Sequence, residues 1–176
     1  MRFVEFLKTT VLLTTGAATA LAAVTVLAVA AGASRTTLWV SAGWWVLAAG
    51  IGLWLGRRTA ASPAIAGLLA AAKASTALPR HRPTAVLINR LWPLLVLTVV
   101  AGGLAVIAPQ VPGIGAGFAI IGAFAWRRQH AAVAAIEERD GVRFYVVQTS
   151  PFRPIALERT PGLKAVRPEQ VNGAVR

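Results

Sequence analysis

Two long stretches of the chain are almost free of charged residues. Between residues 9 and 56 the only charged side chain is Arg35, and between residues 91 and 126 there is none. One crossing of a bilayer takes about 20 apolar residues, so each stretch is too long for one crossing and about right for two. The pattern therefore predicts an all-α integral membrane protein with four transmembrane helices, arranged as two antiparallel hairpins.

Short turns at residues 34–37 and 108–110 separate the members of each pair. The predicted spans cover residues 11–33, 38–55, 91–107 and 111–126. The chain then divides into an N-terminus (1–10), a first hairpin (11–55), a basic loop (56–90), a second hairpin (91–126) and a tail (127–176). The first span also resembles a signal peptide, but its apolar run is longer than usual, so we interpret it as a retained span.

The third and fourth spans are short. At 1.5 Å per residue they reach only about 25 Å, against a hydrocarbon core of roughly 30 Å. A re-entrant hairpin is therefore the alternative for this pair. The third span can lengthen upstream through residues 85–89, and the fourth can lengthen downstream if Arg127 and Arg128 reach the headgroup region.

Basic residues are concentrated in three segments that the model of two hairpins places on one side. The central loop, residues 57–90, carries six basic and no acidic residues, whereas the two short turns carry only Arg35. Short loops rich in Lys and Arg stay in the cytoplasm. We therefore predict a multi-pass protein of the cell (inner) membrane with cytoplasmic N- and C-termini. Tryptophans near the predicted span ends, such as Trp54 and Trp126, agree with this orientation.

The loop and the tail carry their own structural signals. Ser62 and Pro63 are a good helix start, and the residues that follow form one apolar stripe, so we predict an amphipathic loop helix. This helix either lies on the inner membrane surface or is a structured linker. In the tail, we expect the last helix to continue to Asp140 and to stop at Gly141. Strand-forming residues at 142–147 and 155–159 predict a β-hairpin-like unit, followed by a disordered end from about residue 163.

The amino-acid composition limits the kinds of binding site and catalysis that the chain can support. Charged residues make up 14% of the chain, against roughly 25% in soluble domains, and there is no cysteine. No carboxylate lies between Glu5 and Glu137, and His81 and His130 stand alone among arginines, so we predict no metal, no cofactor and no catalytic residue. A net charge of +12 is typical of nucleic-acid-binding proteins. Here membrane topology and attraction to anionic lipid explain the charge, so we expect no nucleic-acid partner.

Three sets of residues are candidates for binding or packing. The basic residues at the predicted inner interface would contact anionic phospholipids of the bilayer. We expect diffuse electrostatic attraction rather than a specific lipid site. These residues are Arg57, Arg58, Arg80, Arg82, Arg90, Arg127 and Arg128. Two small-residue pairs would allow close helix packing, within the chain or in a homo-oligomer: Gly52 with Gly56, and Gly113 with Gly117. Aromatic residues of the tail would bind a partner: Phe144, Tyr145 and Phe152.

These observations favour a non-enzymatic membrane protein, an accessory subunit or scaffold that presents a basic cytoplasmic surface to a membrane protein partner. The alternative is a small channel or transporter that works as an oligomer, although no ionisable residue lies at the predicted membrane midplane. A third hypothesis is a membrane enzyme that acts on lipid headgroups through Glu137 and Asp140, which lie three residues apart on one helix.

Overall fold

A computed structural model describes residues 1–75, 83–147 and 155–161 of the chain, which are mostly helical. The elements in order are α1 (Phe3–Ala30), α2 (Arg35–Leu55), α3 (Pro63–Ala70), β1 (Lys73–Ala74), α4 (Pro83–Gly103) with a 3₁₀ turn (Leu104–Val106), α5 (Gln110–Trp126), α6 (Gln129–Asp140), β2 (Val142–Val146) and β3 (Leu157–Pro161). The predicted disordered end, from about residue 163, falls outside the described residues, as do residues 76–82 of the basic loop.

Three helices are long and apolar enough to cross a membrane: α1, α2 and the segment Thr84–Val106. The last of these helices begins well before residue 91, where the third span is predicted to start. The fourth predicted span, α5, has 17 residues and is about 25 Å long, shorter than a hydrocarbon core of roughly 30 Å. The structure therefore supports a membrane protein with three such helices, and a fourth crossing stays a prediction.

The outer surface of these helices is apolar. Every large hydrophobic side chain that is exposed in the described residues lies in α1, α2, α4, α5 or residues 104–107. The most exposed include Trp39 and Val106, at 76% and 91%. Small residues such as Ala48 and Ala116 lie inside and are fully buried. Large apolar groups outside and small groups inside are the arrangement that lipid, rather than water, favours.

The central helix of the bundle is α5. It packs extensively against α1 on one side and α2 on the other, whereas α1 with α2 and α4 with α5 make much smaller contacts. The packing therefore does not confirm the two predicted hairpins, because the largest contacts join α5 to α1 and to α2. The reason lies in side-chain size, since α5 presents buried Gly113, Ala116 and Gly117 to its neighbours and lets both approach closely.

Both predicted glycine pairs lie in the contact between α2 and α5. A Cβ atom on Gly52 would lie 2.8 Å from the Cβ of Phe124, and one on Gly56 would collide with the backbone oxygen of the same residue. At the other end of the contact, a Cβ on Gly113 would collide with Ser41, and one on Gly117 with Trp44. These glycines are therefore buried in a contact between two helices of the same chain.

Two tryptophans connect the same helices by hydrogen bonds. The indole Nε1 of Trp45 donates to the backbone oxygen of Gly113 at 2.8 Å, and that of Trp44 donates to the oxygen of Ile114 at 3.2 Å. Both acceptor residues directly follow Pro112 in the sequence and lie in the first turns of α5. An indole N–H inside a membrane has no water to bond, so these contacts satisfy the tryptophans and fix α2 against α5.

The other end of the bundle from these turns carries a folded unit outside the predicted spans, which we call the head. Its core combines the first turns of α1, the start of α4, and residues of α3, α6 and the sheet. The buried core residues are Phe3, Val4, Phe6, Leu7, Ile65, Val86, Val133, Phe144, Val146 and Leu157. With 28 residues α1 is about 42 Å long, so it can cross a bilayer and still contribute its first turns to the head.

A small sheet covers this core, in the strand order β1-β3-β2. The strands β2 and β3 are antiparallel, from Val142 opposite Pro161 to Val146 opposite Leu157, and β1 pairs with β3 in parallel. On the other edge Arg2 forms a bridge with Tyr145. A two-stranded hairpin alone is marginal in water, so the predicted hairpin is stabilised by β1, the N-terminus and the core beneath it.

The helices of the loop and tail follow the predicted start and stop signals, with two differences. The hydroxyl oxygen of Ser62 accepts from the N–H of Ile65, and Gly141 ends α6 at φ 63°. However, Ile65 is 2% exposed and Leu68 and Leu69 pack against the same core, so the apolar stripe of α3 faces the head core. The predicted continuous helix is also broken at residues 127–128, which lets Val133 of α6 reach the head core.

Candidate functional site

Predicted basic residues meet where α2 ends and where α5 gives way to α6. Arg57 and Arg58 follow Gly56, the C-cap of α2, while Arg127 and Arg128 form the junction between α5 and α6. A guanidinium nitrogen of Arg128 donates to the backbone oxygen of Arg57 at 3.5 Å, a long bond that nevertheless places the two segments side by side. We call this region the arginine corner.

The other predicted basic residues lie elsewhere or outside the described part. Arg90 is half-buried in α4, and it has a partner within the structure. Arg80 and Arg82 lie outside the described residues. The arginine corner thus contains four of the seven residues that sequence reasoning assigned to the inner interface.

The positive charge of the arginine corner is not compensated by the described protein. The sequence has no Asp or Glu between residues 6 and 136. The ion pairs in the described ranges join Arg2 to Glu137 and Arg139 to Asp140, and neither includes a residue of the corner. Arg57, Arg58 and Arg128 are also exposed. Guanidinium groups in such a position are available to an external anion.

A crevice of about 690 Å³ opens at this corner, between the end of α2, the start of α3 and the α5–α6 junction. Arg57 and Arg58 contribute its basic side, and the indole rings of Trp54 and Trp126 contribute its apolar side. Its volume falls within the roughly 300–1,000 Å³ that is common for small-ligand sites. The crevice therefore combines positive charge with an aromatic surface in one concave place.

The floor of the crevice is held by a hydrogen bond between two segments distant in sequence. The backbone N–H of Ser62 donates to the side-chain oxygen of Gln129 at 2.9 Å, and Gln129 is 6% exposed. This bond ties the start of α3 to the start of α6. Sequence reasoning missed Gln129, although a polar residue directly after two arginines at a membrane boundary is a usable signal.

Arg127 differs from its neighbours at the corner. It is half-buried, and its guanidinium carbon lies 5.9 Å from the ring centroid of Phe124, a cation–π distance. Its Nε is buried without a hydrogen-bond partner in the described residues. This arginine therefore points back along α5 and is less available to an external anion than Arg57 or Arg58.

The acidic residues of the tail have a structural role that the sequence did not reveal. Glu137 is 6% exposed, and its carboxylate accepts from Arg2 at 2.8 Å and from the backbone N–H of Phe144 at 2.9 Å. The bond to Glu137 raises the pKa of the Arg2 guanidinium. Asp140 instead pairs with Arg139, which lowers the pKa of the Asp140 carboxyl. The two carboxylates of the enzyme hypothesis are therefore engaged in separate ion pairs.

The predicted partner-binding aromatics fall in different places. Phe144 is 3% exposed and belongs to the head core, so its ring offers no surface to a partner in this structure. Tyr145 is half-buried, in the position that bridges to Arg2, and its role in partner binding stays a prediction. Phe152 lies outside the described residues. The alternation along β2 explains the difference, because successive side chains point to opposite faces of a sheet.

Within the described ranges, no three His, Cys, Asp or Glu side chains come together in a way that could hold a metal ion. Comparison with protein-family models, with characterised proteins and with solved structures finds no significant match. What the protein does must therefore be inferred from its own residues.

Proposed function

We propose that this is a small, non-enzymatic multi-pass protein of the cell (inner) membrane, which serves as an accessory subunit or scaffold for a membrane protein partner. Both termini would lie in the cytoplasm, and α5 would be a fourth crossing, sheltered between α1 and α2. The observation that supports this most is the head core, in which Phe3, Ile65 and Val146 pack together from the N-terminus, the central loop and the tail. Segments that share one core must lie on the same side of a bilayer.

The polar groups of the predicted spans support a non-catalytic role. Threonine hydroxyls of α1 and α4 donate to the backbone oxygen four residues earlier, as in Thr25 to Leu21 at 2.9 Å and Thr98 to Leu94 at 2.7 Å. Hydroxyls engaged in this way are not positioned as nucleophiles or as a pore lining. What remains for function is the surface of the head and of the arginine corner.

The surface of the head that best suits a partner is its sheet. Arg143 lies opposite Thr160 and Lys73 lies beside Glu158, so both are on the outer face of the sheet, whereas Arg159 lies opposite Phe144, on the face of the core. Lys73, Arg143 and Arg159 are all exposed. Lys73 and Arg143, two basic residues on the same face of the sheet, fit an acidic surface of a partner, since complementary charge favours encounter and orientation.

The orientation can be tested by cysteine labelling, because the natural chain has no cysteine. Exposed positions at the two turns and on the head are suitable for single substitutions: Thr36→Cys, Gln110→Cys, Glu5→Cys, Lys73→Cys and Glu138→Cys. In intact cells, a membrane-impermeant maleimide is expected to label Thr36→Cys and Gln110→Cys without permeabilisation. The three head positions should react only after the membrane is permeabilised.

Two labelling results would contradict the proposed topology. Reaction of Lys73→Cys in intact cells would place the head outside. Protection of Gln110→Cys with reaction of Thr36→Cys would mean that the second pair of helices does not reach the outer face. Each cysteine variant should react in detergent, which controls for accessibility of the thiol.

Reversing charge on the sheet tests the scaffold role. The double substitution Lys73→Glu/Arg143→Glu is expected to reduce the amount of specific co-purifying membrane protein by about tenfold or more, since like charges across an interface cost several kcal/mol. The measurement is quantitative mass spectrometry of proteins crosslinked in native membranes before purification of the full-length protein.

A matched control reverses two exposed charges elsewhere on the head, at Lys8 and Arg139. Lys8→Glu/Arg139→Glu should keep the same partners at similar levels. If both double variants retain every partner of the natural chain, the sheet is not the interaction surface. If both lose partners equally, general charge rather than this surface is responsible.

The oligomeric channel gains no support from the described residues. The glycine pairs that could join two copies pack α2 against α5 within one chain. A monomeric mass in mild detergent and the absence of ion flux in liposomes are the results we expect, and a defined oligomer with flux would replace the scaffold proposal.

A further inference from the structure

The crevice at the arginine corner is more specific than a diffuse basic surface. We infer that it binds one anionic glycerophospholipid of the surrounding membrane, with the phosphate at Arg57 and Arg58 and the glycerol backbone against Trp54 and Trp126. This inference rests on the proposed placement of the arginine corner at a membrane surface. It extends the proposed function by giving the scaffold a bound lipid at a defined site.

Charge complementarity selects an anion. Arg57 and Arg58 are adjacent and exposed, and neither has an acidic partner in the described structure. Arg128 reaches the same place through its bond to the backbone of Arg57. The crevice also lies at the start of α3, where Ser62 and Pro63 line it, so the positive end of that helix adds to the field of the guanidinium groups.

The aromatic side of the crevice selects a lipid over a free anion. Trp54 and Trp126 are 67% and 44% exposed, and each lies in the last turn of an apolar helix. Tryptophan rings favour the level of the headgroups, where glycerol and the first acyl carbons lie. An inorganic phosphate would neutralise the arginines but leave these rings exposed. A glycerophospholipid covers both, with its chains continuing along α2 and α5.

The site is also held in shape without a ligand. The bond from Ser62 to Gln129 fixes the start of α3 against α6, and the close contact of Gly56 with Phe124 fixes the end of α2 against α5. The arginines therefore project from two fixed helix ends. A site that is already formed loses less entropy on binding than a flexible basic loop does.

Competition between two lipids tests the inference. Full-length protein in a mild non-ionic detergent is given equal amounts of phosphatidylglycerol and phosphatidylcholine, and native mass spectrometry measures which lipid is retained. The natural protein should retain phosphatidylglycerol preferentially. Arg57→Gln/Arg58→Gln is expected to reduce that preference by about 25-fold, the product of roughly fivefold for each charge at an anionic surface.

Further variants separate a built site from diffuse attraction. Arg35→Gln removes an exposed charge at the opposite end of α2 and should leave the preference within about twofold, because distant surface charges are screened, whereas Arg57→Gln alone should reduce it about fivefold. Ala125→Phe adds a ring inside the crevice without changing charge, since Ala125 lines it. This variant should lose the preference while it keeps its unfolding temperature in detergent micelles that contain phosphatidylcholine.

Three results would overturn the inference. An equal loss in Arg35→Gln and Arg57→Gln would show diffuse attraction. A full preference in a folded Ala125→Phe variant would place the lipid outside the crevice. Displacement of phosphatidylglycerol by excess inorganic phosphate would show a site for free anions. None of these results depends on a protein partner or on membrane orientation, which the crosslinking and cysteine experiments decide separately.

Discussion

Replacing Gly56 by alanine is expected to separate α2 from α5 and to destabilise the protein by about 1–3 kcal/mol, the usual effect of extra volume in a packed contact. The new methyl group would collide with the backbone oxygen of Phe124 and lie 3.2 Å from its carbonyl carbon. Backbone atoms cannot rotate away as a side chain can, so the helices themselves must move. Thermal unfolding in mild detergent, followed by circular dichroism, measures the effect.

The same helix provides the control. Gly50 is exposed, and a methyl group there would meet nothing within 4 Å. Gly50→Ala should therefore keep or slightly raise the unfolding temperature, because alanine is the better helix former by up to about 1 kcal/mol. If Gly50→Ala and Gly56→Ala behave alike, helix propensity and not the α2–α5 contact explains the role of these glycines.

The contact between α2 and α5 also shows which features of helix packing can be predicted from the sequence and which cannot. The spacing of Gly52 and Gly56 indicates close packing, and the packing exists. The spacing does not say which helix approaches, since helices that are apolar on all sides have no polar face to show which side is turned inward. The central position of α5 follows from its small residues only once three dimensions are known. For the same reason, the sequence does not indicate that α5 packs mainly against α1 and α2.

Outside the predicted spans, local signals were reliable and long-range contacts were not. Ser62 and Pro63 start α3, and Gly141 ends α6, because capping depends on residues next to each other. The break at residues 127–128 and the burial of Phe3 depend on where Val133 and the N-terminus must pack. No local pattern contains that information, so residues 1–10 were predicted as a simple terminal segment.

The same difference between local signals and long-range contacts applies to the candidate site. The arginines and tryptophans of the crevice could be assigned to one interface from their positions beside the apolar runs. The crevice itself could not, because its floor depends on a bond between Ser62 and Gln129, 67 residues apart. Likewise, the acids at the end of α6 had no explanation in sequence, and the structure supplies one for Glu137, whose partners are Arg2 and the backbone of Phe144.

Removing the Glu137 carboxylate is expected to loosen the head. Glu137→Ala leaves the N–H of Phe144 and the Arg2 guanidinium without their acceptor, and we expect a loss of about 2–3 kcal/mol. This is below the roughly 3–5 kcal/mol of a fully buried pair, because the Arg2 side chain is 35% exposed and water can solvate it. Amide hydrogen exchange at Phe144 and Val146 should accelerate by about tenfold or more.

A comparison of three variants separates the two bonds of this carboxylate. Glu137→Gln keeps an acceptor for the N–H of Phe144 but loses the charge that holds Arg2, so its effect should be intermediate. Glu138→Ala changes an exposed neighbour and should be near neutral. Because Val146 donates to the backbone oxygen of Met1, faster exchange there would mean that the N-terminus has left the sheet. Unchanged exchange in Glu137→Ala would mean that the apolar core alone holds the N-terminus, the loop and the tail together.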